Sequence, residues 1–143
     1  MATVVARALA SGMAARITEL CLDCHDPGRL AAWWAEVLGY EVLPAEDDGV
    51  VEIGPPGQEP KGVVPTIVFV AVPEPKTGKL RLHLDLNATD RSQDDELARL
   101  LALGATRVDV GQGPLTEEMT WHVLADPEGN EFCLLRSVVE PLA

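Results

Sequence analysis

The sequence predicts an α+β protein made of two tandem βαβββ units. Three observations carry that expectation. Short stretches alternate apolar and polar residues, as half-buried strands do. Two longer stretches carry apolar residues at helical spacing, each preceded by an Asp and closed by Leu-Gly. The order of these elements also recurs: LDCHDPGRLAAWWAEVLGYEV is echoed by LDLNATDRSQDDELARLLALGATRV. Such a repeat governs the architecture, because each unit must bury its apolar face against another.

The first predicted strand spans residues 16–24. Ile17, Leu20, Leu22 and Cys24 are its apolar set, while Glu19 and Asp23 share the other parity with Cys21. Asp26-Pro27 opens a helix, Asp as N-cap and Pro in the first turn. Leu30, Trp33, Trp34, Val37 and Leu38 form its stripe, and Gly39 stops it. The two tryptophans read as core filling. Strands follow at 40–44 and 50–54 around the hairpin loop EDDG, and at 65–72. Residues 55–62 are a Pro/Gly-rich loop, and PEPKTGK (73–79) reads as the linker between the units.

In the second unit LRLHLDL (80–86) alternates, with four leucines on one face and Arg81, His83 and Asp85 on the other. Thr89-Asp90 suits the cap of a second helix striped by Leu97, Leu100 and Leu101 and ended by Gly104. Strands are expected at 106–110, 119–125 and 131–136. DPEG (126–129) has the residue order of a type I turn. Residues 16–136 thus form one domain, with 16–72 and 80–136 as its modules, 1–15 a frayed leader and 137–143 a tail.

Composition bounds the function. The chain has 143 residues and a formal net charge of −12. That charge opposes binding to nucleic-acid phosphates or an anionic membrane surface. No apolar run approaches the roughly 20 residues of a membrane helix. Arg7 and Arg16 break the Ala-rich start, so it does not read as a secretory signal, and a cytoplasmic location is expected. CLDCH (21–25) matches a haem-attachment pattern. On an extended strand, however, Cys21 and Cys24 point to opposite faces, which disfavours joint haem attachment, a shared metal or a disulfide.

A doubled βαβββ unit containing DPGRLAAWWAEVLGYEV, VPEPKTGKLRLHLDL and WHVLADPEGNEFCLL resembles the vicinal-oxygen-chelate superfamily, in its glyoxalase-like branch. The resemblance implies two modules curling into a cup of mixed sheet with helices outside. It also implies a small-molecule ligand, often a divalent metal, and a homodimer. It leaves open whether the cup closes within one chain or across two. In metal-binding relatives the first ligand lies seven residues before the Asp that opens the helix. That count gives Glu19 and His83 here. The last ligand, seven residues after the Asp of the DPxG turn, falls on Cys133, where Glu is usual. The strand at 65–72 has no acid to supply a fourth.

Glu19, His83 and Cys133 are therefore the expected metal set, for zinc, nickel, manganese or iron. Cys133 favours zinc over harder ions. Glu19 or Glu131 is the expected general base. Arg81, Asp85 and Trp121 are expected to contact the ligand, with Asp85 orienting His83 or pairing with Arg81. His122 has the opposite parity and reads as core or surface. Two functions fit this set: a glyoxalase-like lyase or isomerase holding its substrate on a metal, or a metal-free protein that sequesters a small molecule.

Overall fold

The computed structural model describes residues 14–44 and 49–143. Most of the expected leader, and residues 46–48 of the expected hairpin loop, lie outside the described residues. The first module runs β1 (Glu19–Cys24), α1 (Pro27–Leu38), β2 (Glu41–Leu43), β3 (Val50–Gly54) and β4 (Thr66–Ala71). The second runs β5 (Leu84–Leu86), α2 (Gln93–Ala102), β6 (Thr106–Arg107), β7 (His122–Ala125) and β8 (Glu131–Leu134). Their sheets have matching strand orders, β1-β4-β3-β2 and β5-β8-β7-β6. In each, the first strand pairs parallel with the last and the remaining pairs are antiparallel. The repeat in the sequence is thus a repeat in space.

α1 forms for the reasons its sequence shows. The Asp26 side chain accepts from Arg29 N at 3.0 Å, and Pro27 takes the first turn, where no N–H is needed. Gly39 ends the helix at φ 67°, a conformation that costs glycine little. α2 starts later than its sequence suggests. Ser92, not Thr89 or Asp90, is the N-cap, accepting from Asp95 N at 3.1 Å. Asp90 instead faces Arg91 at 2.8 Å.

Most strands are shorter than expected, and three of the second module pair over much less than their expected span. The span 106–110 pairs only over β6, and 119–125 only over β7. The expected strand at 80–86 pairs only from Leu84. Its register is Leu84↔Phe132, so residue 83 would fall opposite Glu131, where β8 begins after its turn. No ladder partner is left for 80–82. Leu82 is consequently 73% exposed rather than packed with the other leucines.

One core spans both modules. Leu30, Ala31 and Trp34 of α1 meet Ile53, Ile67 and Phe69 of the first sheet, and Leu100, Leu124, Phe132 and Leu134 of the second module. Trp33, Trp34 and Phe132 form an edge-to-face cluster with centroids 5.1–5.9 Å apart. Both indoles also cross the seam: Trp33 Nε1 donates to Leu103 O at 2.9 Å, and Trp34 Nε1 to the buried Asp126 Oδ2 at 3.0 Å.

The second module holds α1 at both ends as well. At the start, Glu128 accepts from His25 N (2.6 Å) and Asp26 N (3.1 Å). At the end, Arg99 donates to Glu36 O (3.2 Å) and Val37 O (2.7 Å), carbonyls that the helix cannot satisfy itself.

Replacing Trp34 by Phe keeps a six-membered aromatic ring but removes the fused pyrrole ring, and with it one donor to the buried carboxylate. It should lower unfolding stability by about 1–3 kcal/mol. Trp34→Ala should cost about 3–5 kcal/mol. Urea unfolding of both variants separates the hydrogen bond from the packing.

Candidate functional site

On the second sheet the strand period divides the residues cleanly. Leu84, Leu124 and Phe132 turn to the core. Asp85 and Cys133 are register partners on β5 and β8, and Val123 sits beside Cys133 on β7. These three, with Trp121 and His83, share the face opposite α2. A cavity of about 240 Å³ lies on that face. Val110, Trp121 and Val123 supply its apolar wall, backed by the core residue Phe132, and Lys79, His83, Gln112 and Glu131 are its polar groups. Gln112 also closes its own loop, accepting from Val110 N at 2.7 Å and donating to Val108 O at 2.8 Å. That wall is therefore built rather than loose.

A second cavity, of about 210 Å³, adjoins the first. It shares His83, Glu131 and Phe132 with it and reaches Leu20, Cys21 and Leu22 of β1. The two modules thus meet around His83. A polar cleft of about 390 Å³ opens elsewhere along the seam, beside Asp23, Arg29 and Glu74. Its Glu128 and His25 are already engaged in holding the modules together.

His83, Asp85 and Cys133 each place one metal-ligating atom within 4.8 Å of the others. His83 Nε2 lies 3.5 Å from Asp85 Oδ1, and both side chains are partly exposed. Cys133 is buried. Burial, and then the adjacent Asp85 carboxylate, push its thiol above the ordinary value.

The structure gathers some of the sequence-predicted residues and separates others. His83 and Cys133 come together, joined by Asp85 in place of Glu19. Glu19, on β1, does not enter that cluster and pairs with Lys61 Nζ at 3.6 Å. Asp85 faces His83 rather than Arg81, which makes no hydrogen bond or ion pair among the described residues.

Glu131 is occupied. It accepts from Lys76 Nζ at 2.8 Å and from Leu80 N at 3.1 Å. Burial alone would push its carboxyl up, but these partners outweigh burial and hold it below the ordinary glutamate value. A carboxylate so held is a weak base. Trp121 lines the cavity. His122 is half-buried on the core side of β7, and its Nδ1 has no hydrogen-bond partner among the described residues. Sequence reasoning missed Lys79, Val110 and Gln112, which reach the cavity through loops that carry no periodicity.

Comparison with known proteins decides the family. A model described as a glyoxalase-like domain matches residues 19–135. The chain belongs to the glyoxalase-like family. This glyoxalase-like domain has the α+β architecture of the vicinal-oxygen-chelate superfamily, and solved structures match it in fold at low identity. The fosfomycin resistance protein FosX from Listeria monocytogenes is 14% identical, with TM-score 0.65, over 89% of this chain and 94% of that one. A glyoxalase/bleomycin resistance protein/dioxygenase family enzyme from Burkholderia phytofirmans PsJN is 18% identical, with TM-score 0.61, over 84% and 97%. TioX from Micromonospora sp. ML1 is 18% identical, with TM-score 0.53, over 85% and 98%. No curated protein matches the glyoxalase-like domain. Among the described residues no helix is long and apolar enough to cross a membrane.

The Listeria FosX has been solved with Mn(II) and a sulfate ion. Manganese favours carboxylate, carbonyl and water ligands. The donors gathered here are an imidazole, a carboxylate and a thiol. That set fits a softer ion than manganese.

Two measurements check the electrostatics. Cys21 is exposed, whereas Cys24 is buried and its thiol is pushed up to about 11 from 9.0, chiefly by desolvation. Iodoacetamide near neutral pH should therefore alkylate Cys21 first. Cys24 should react about a hundredfold more slowly than an ordinary thiol on thiolate fraction alone. Peptide mass mapping reads this. Glu131, with its lowered value, adds stability above the ordinary glutamate range and loses it as pH falls through the folded value. Lys76→Met should raise the Glu131 titration midpoint, read by carboxyl NMR, and flatten the acid side of the stability curve.

Proposed function

We propose that this glyoxalase-like domain binds a small molecule over its second sheet. A flat, largely apolar group would pack on Trp121 and Val110, and an acceptor or anionic oxygen would face Lys79 and His83. The observation that carries the reading is the meeting of the two cavities at His83, Glu131 and Phe132. Joined, they fall within the roughly 300–1,000 Å³ of small-molecule sites. An apolar wall with a few convergent polar groups is the usual composition of such a site. Ligand capture without bond breaking also accords with a Glu131 already committed to Lys76 and Leu80. In this reading the protein is cytoplasmic and acts as a homodimer. Leu82, an exposed leucine beside the second cavity, supports an apolar contact there.

The second reading is a metal-dependent lyase or isomerase, and the His83–Asp85–Cys133 cluster favours it. A divalent ion, among zinc, nickel, manganese and iron, would then polarise an oxygen of the bound molecule. Glu19 or Glu131 would have to leave its lysine partner to act as a base.

Metal-free protein, dialysed against EDTA, tests the first reading with 2-naphthoate, 4-hydroxybenzoate and indole-3-acetate as probes. At least one should move the amide NMR signals of residues 110–112, 121–123 and 131–133. Trp121→Ala should weaken that probe about tenfold or more, equivalent to roughly 1.4 kcal/mol. Signals that stay in place with all three probes at saturation would remove the reading.

A further inference from the structure

We propose that residues 73–82 form a hinged strap over the seam, and that the Glu131 carboxylate is the clasp that keeps it shut. What the strap admits rests on the small-molecule reading above; how it is held does not. The strap begins where backbone hydrogen bonds stop. The first sheet ends as Val72 N donates to Cys24 O at 2.9 Å, and the second starts at Leu84. Among the described residues, no backbone group from Pro73 to Leu82 bonds to another backbone group. No residue of the span is buried. Yet the span borders the three cavities of the seam and second sheet. Glu74, Pro75 and Lys76 line the polar cleft, Leu80 and Leu82 the gap beside β1, and Lys79 the pocket walled by Trp121.

Side chains therefore hold the span, and Glu131 does most of the holding. Its Oε1 accepts from Lys76 Nζ at 2.8 Å and its Oε2 from Leu80 N at 3.1 Å, so the strap occupies both oxygens. The one other tie to a module, among the described residues, is at the far end, where His25 Nε2 lies 3.1 Å from Glu74 O. A segment with no backbone ladder and no buried apolar anchor opens at the low end of a protein's range of local stability. The sequence also divides the strap mechanically. Pro73 and Pro75 fix φ and stiffen its start. Gly78 lies between the two residues that Glu131 grips and is the natural hinge. Its φ is not left-handed, and a Cβ added there would meet nothing within 4 Å. Releasing Lys76 and Leu80 would swing Leu80 and Leu82 away from Leu20 and Leu22 of β1, which line the same gap. That opens a route to His83, where the two ligand cavities meet.

Two measurements on EDTA-dialysed full-length protein test the strap. The first needs no ligand. Leu80 N–H is the one amide of the span with a hydrogen-bond acceptor among the described residues. Its hydrogen exchange, read by NMR and corrected for sequence, should be about tenfold or more slower than that of Arg81 and Leu82. Glu131→Ala should erase that difference, while the amides of Val123 and Leu124 stay protected and report that β7 is still folded. Lys76→Met, a change at an exposed residue, should lower the protection severalfold, and it decides the matter if Glu131→Ala does not fold. The second measurement is stopped-flow binding of whichever of 2-naphthoate, 4-hydroxybenzoate and indole-3-acetate shifts the second-sheet signals. Gly78 lines neither ligand cavity. Alanine has fewer conformations than glycine, so at position 78 it penalises the open strap and spares the shut one. Gly78→Ala should therefore slow association and dissociation by the same factor, about two- to fivefold, and leave Kd unchanged. The strap is refuted if Leu80 exchanges as fast as its neighbours, or if the folded clasp variants keep its full protection. It is refuted equally if Gly78→Ala leaves both rates unchanged or shifts Kd instead. If none of the three probes binds, the small-molecule reading alone fails, and Leu80 still decides the clasp.

Discussion

The hydrogen bond from Trp34 to the buried carboxylate of Asp126 is the constraint on which the rest of the structure depends. A carboxylate taken out of water is costly unless it is thoroughly paired. Asp126 meets that condition locally: Oδ1 accepts from the backbone N–H groups of Glu128 and Asn130, and both oxygens accept from Asn130 Nδ2. The indole of Trp34 completes the set from the other module. A turn this rigid fixes the residues on its C-terminal side. Glu128 is delivered to the start of α1, and Glu131 to the first position of β8. Glu131 then draws in Lys76 and Leu80, so residues 76–80 are held against β8 and lead His83 to the edge of β5. The candidate site is thus placed by the seam, and His83 is the member that lies beside it.

Charge reinforces that arrangement. The chain is strongly acidic and has only three lysines, Lys61, Lys76 and Lys79. Two of them lie in the segment between the modules. Lys76 is used internally, against Glu131, while Lys79 lines the cavity. A cation retained at the mouth of a pocket in an acidic protein marks where an anionic group can approach against the prevailing field. The same field makes the Glu131–Lys76 pair more than a surface ornament, because Glu131 is nearly buried and would otherwise be an unpaired charge.

Much of this was legible in the sequence. The Asp26-Pro27 start, the Gly39 stop and the doubled order of elements are local chemistry, and local chemistry decides them. LRLHLDL was misleading for a physical reason. Alternation records which faces are apolar, but a strand also needs a partner, and β8 supplies none before Glu131. Asp85 and Cys133 share a face by parity, so their meeting was readable once β5 and β8 were taken as neighbours. The separation of Glu19 from His83 was not. It depends on how two modules sit against each other and on a lysine in a Pro/Gly-rich loop, and neither leaves a periodic trace. Asp126 read only as a turn residue, because nothing in DPEG announces a tryptophan 92 positions earlier.

The repeat itself explains why one module carries the candidate chemistry. Glu19 and His83 occupy equivalent places, seven residues before Asp26 and Asp90. Cys21 and Asp85 are then equivalent, and their register partners are Val68 and Cys133. The second module therefore has a donor at all three places: His83, Asp85 and Cys133. The first has Glu19, Cys21 and Val68, and a valine ends any chance of a matching site. Its remaining polar groups are used internally. Glu19 pairs with Lys61, and Glu52 accepts from the Thr66 hydroxyl, Thr66 standing where the second module has Glu131. Unpaired, those groups would sit half-buried at a cost, so pairing them stabilises the first sheet. One sheet has become scaffold. Its twin gathers His83, Asp85 and Cys133 beside a cavity.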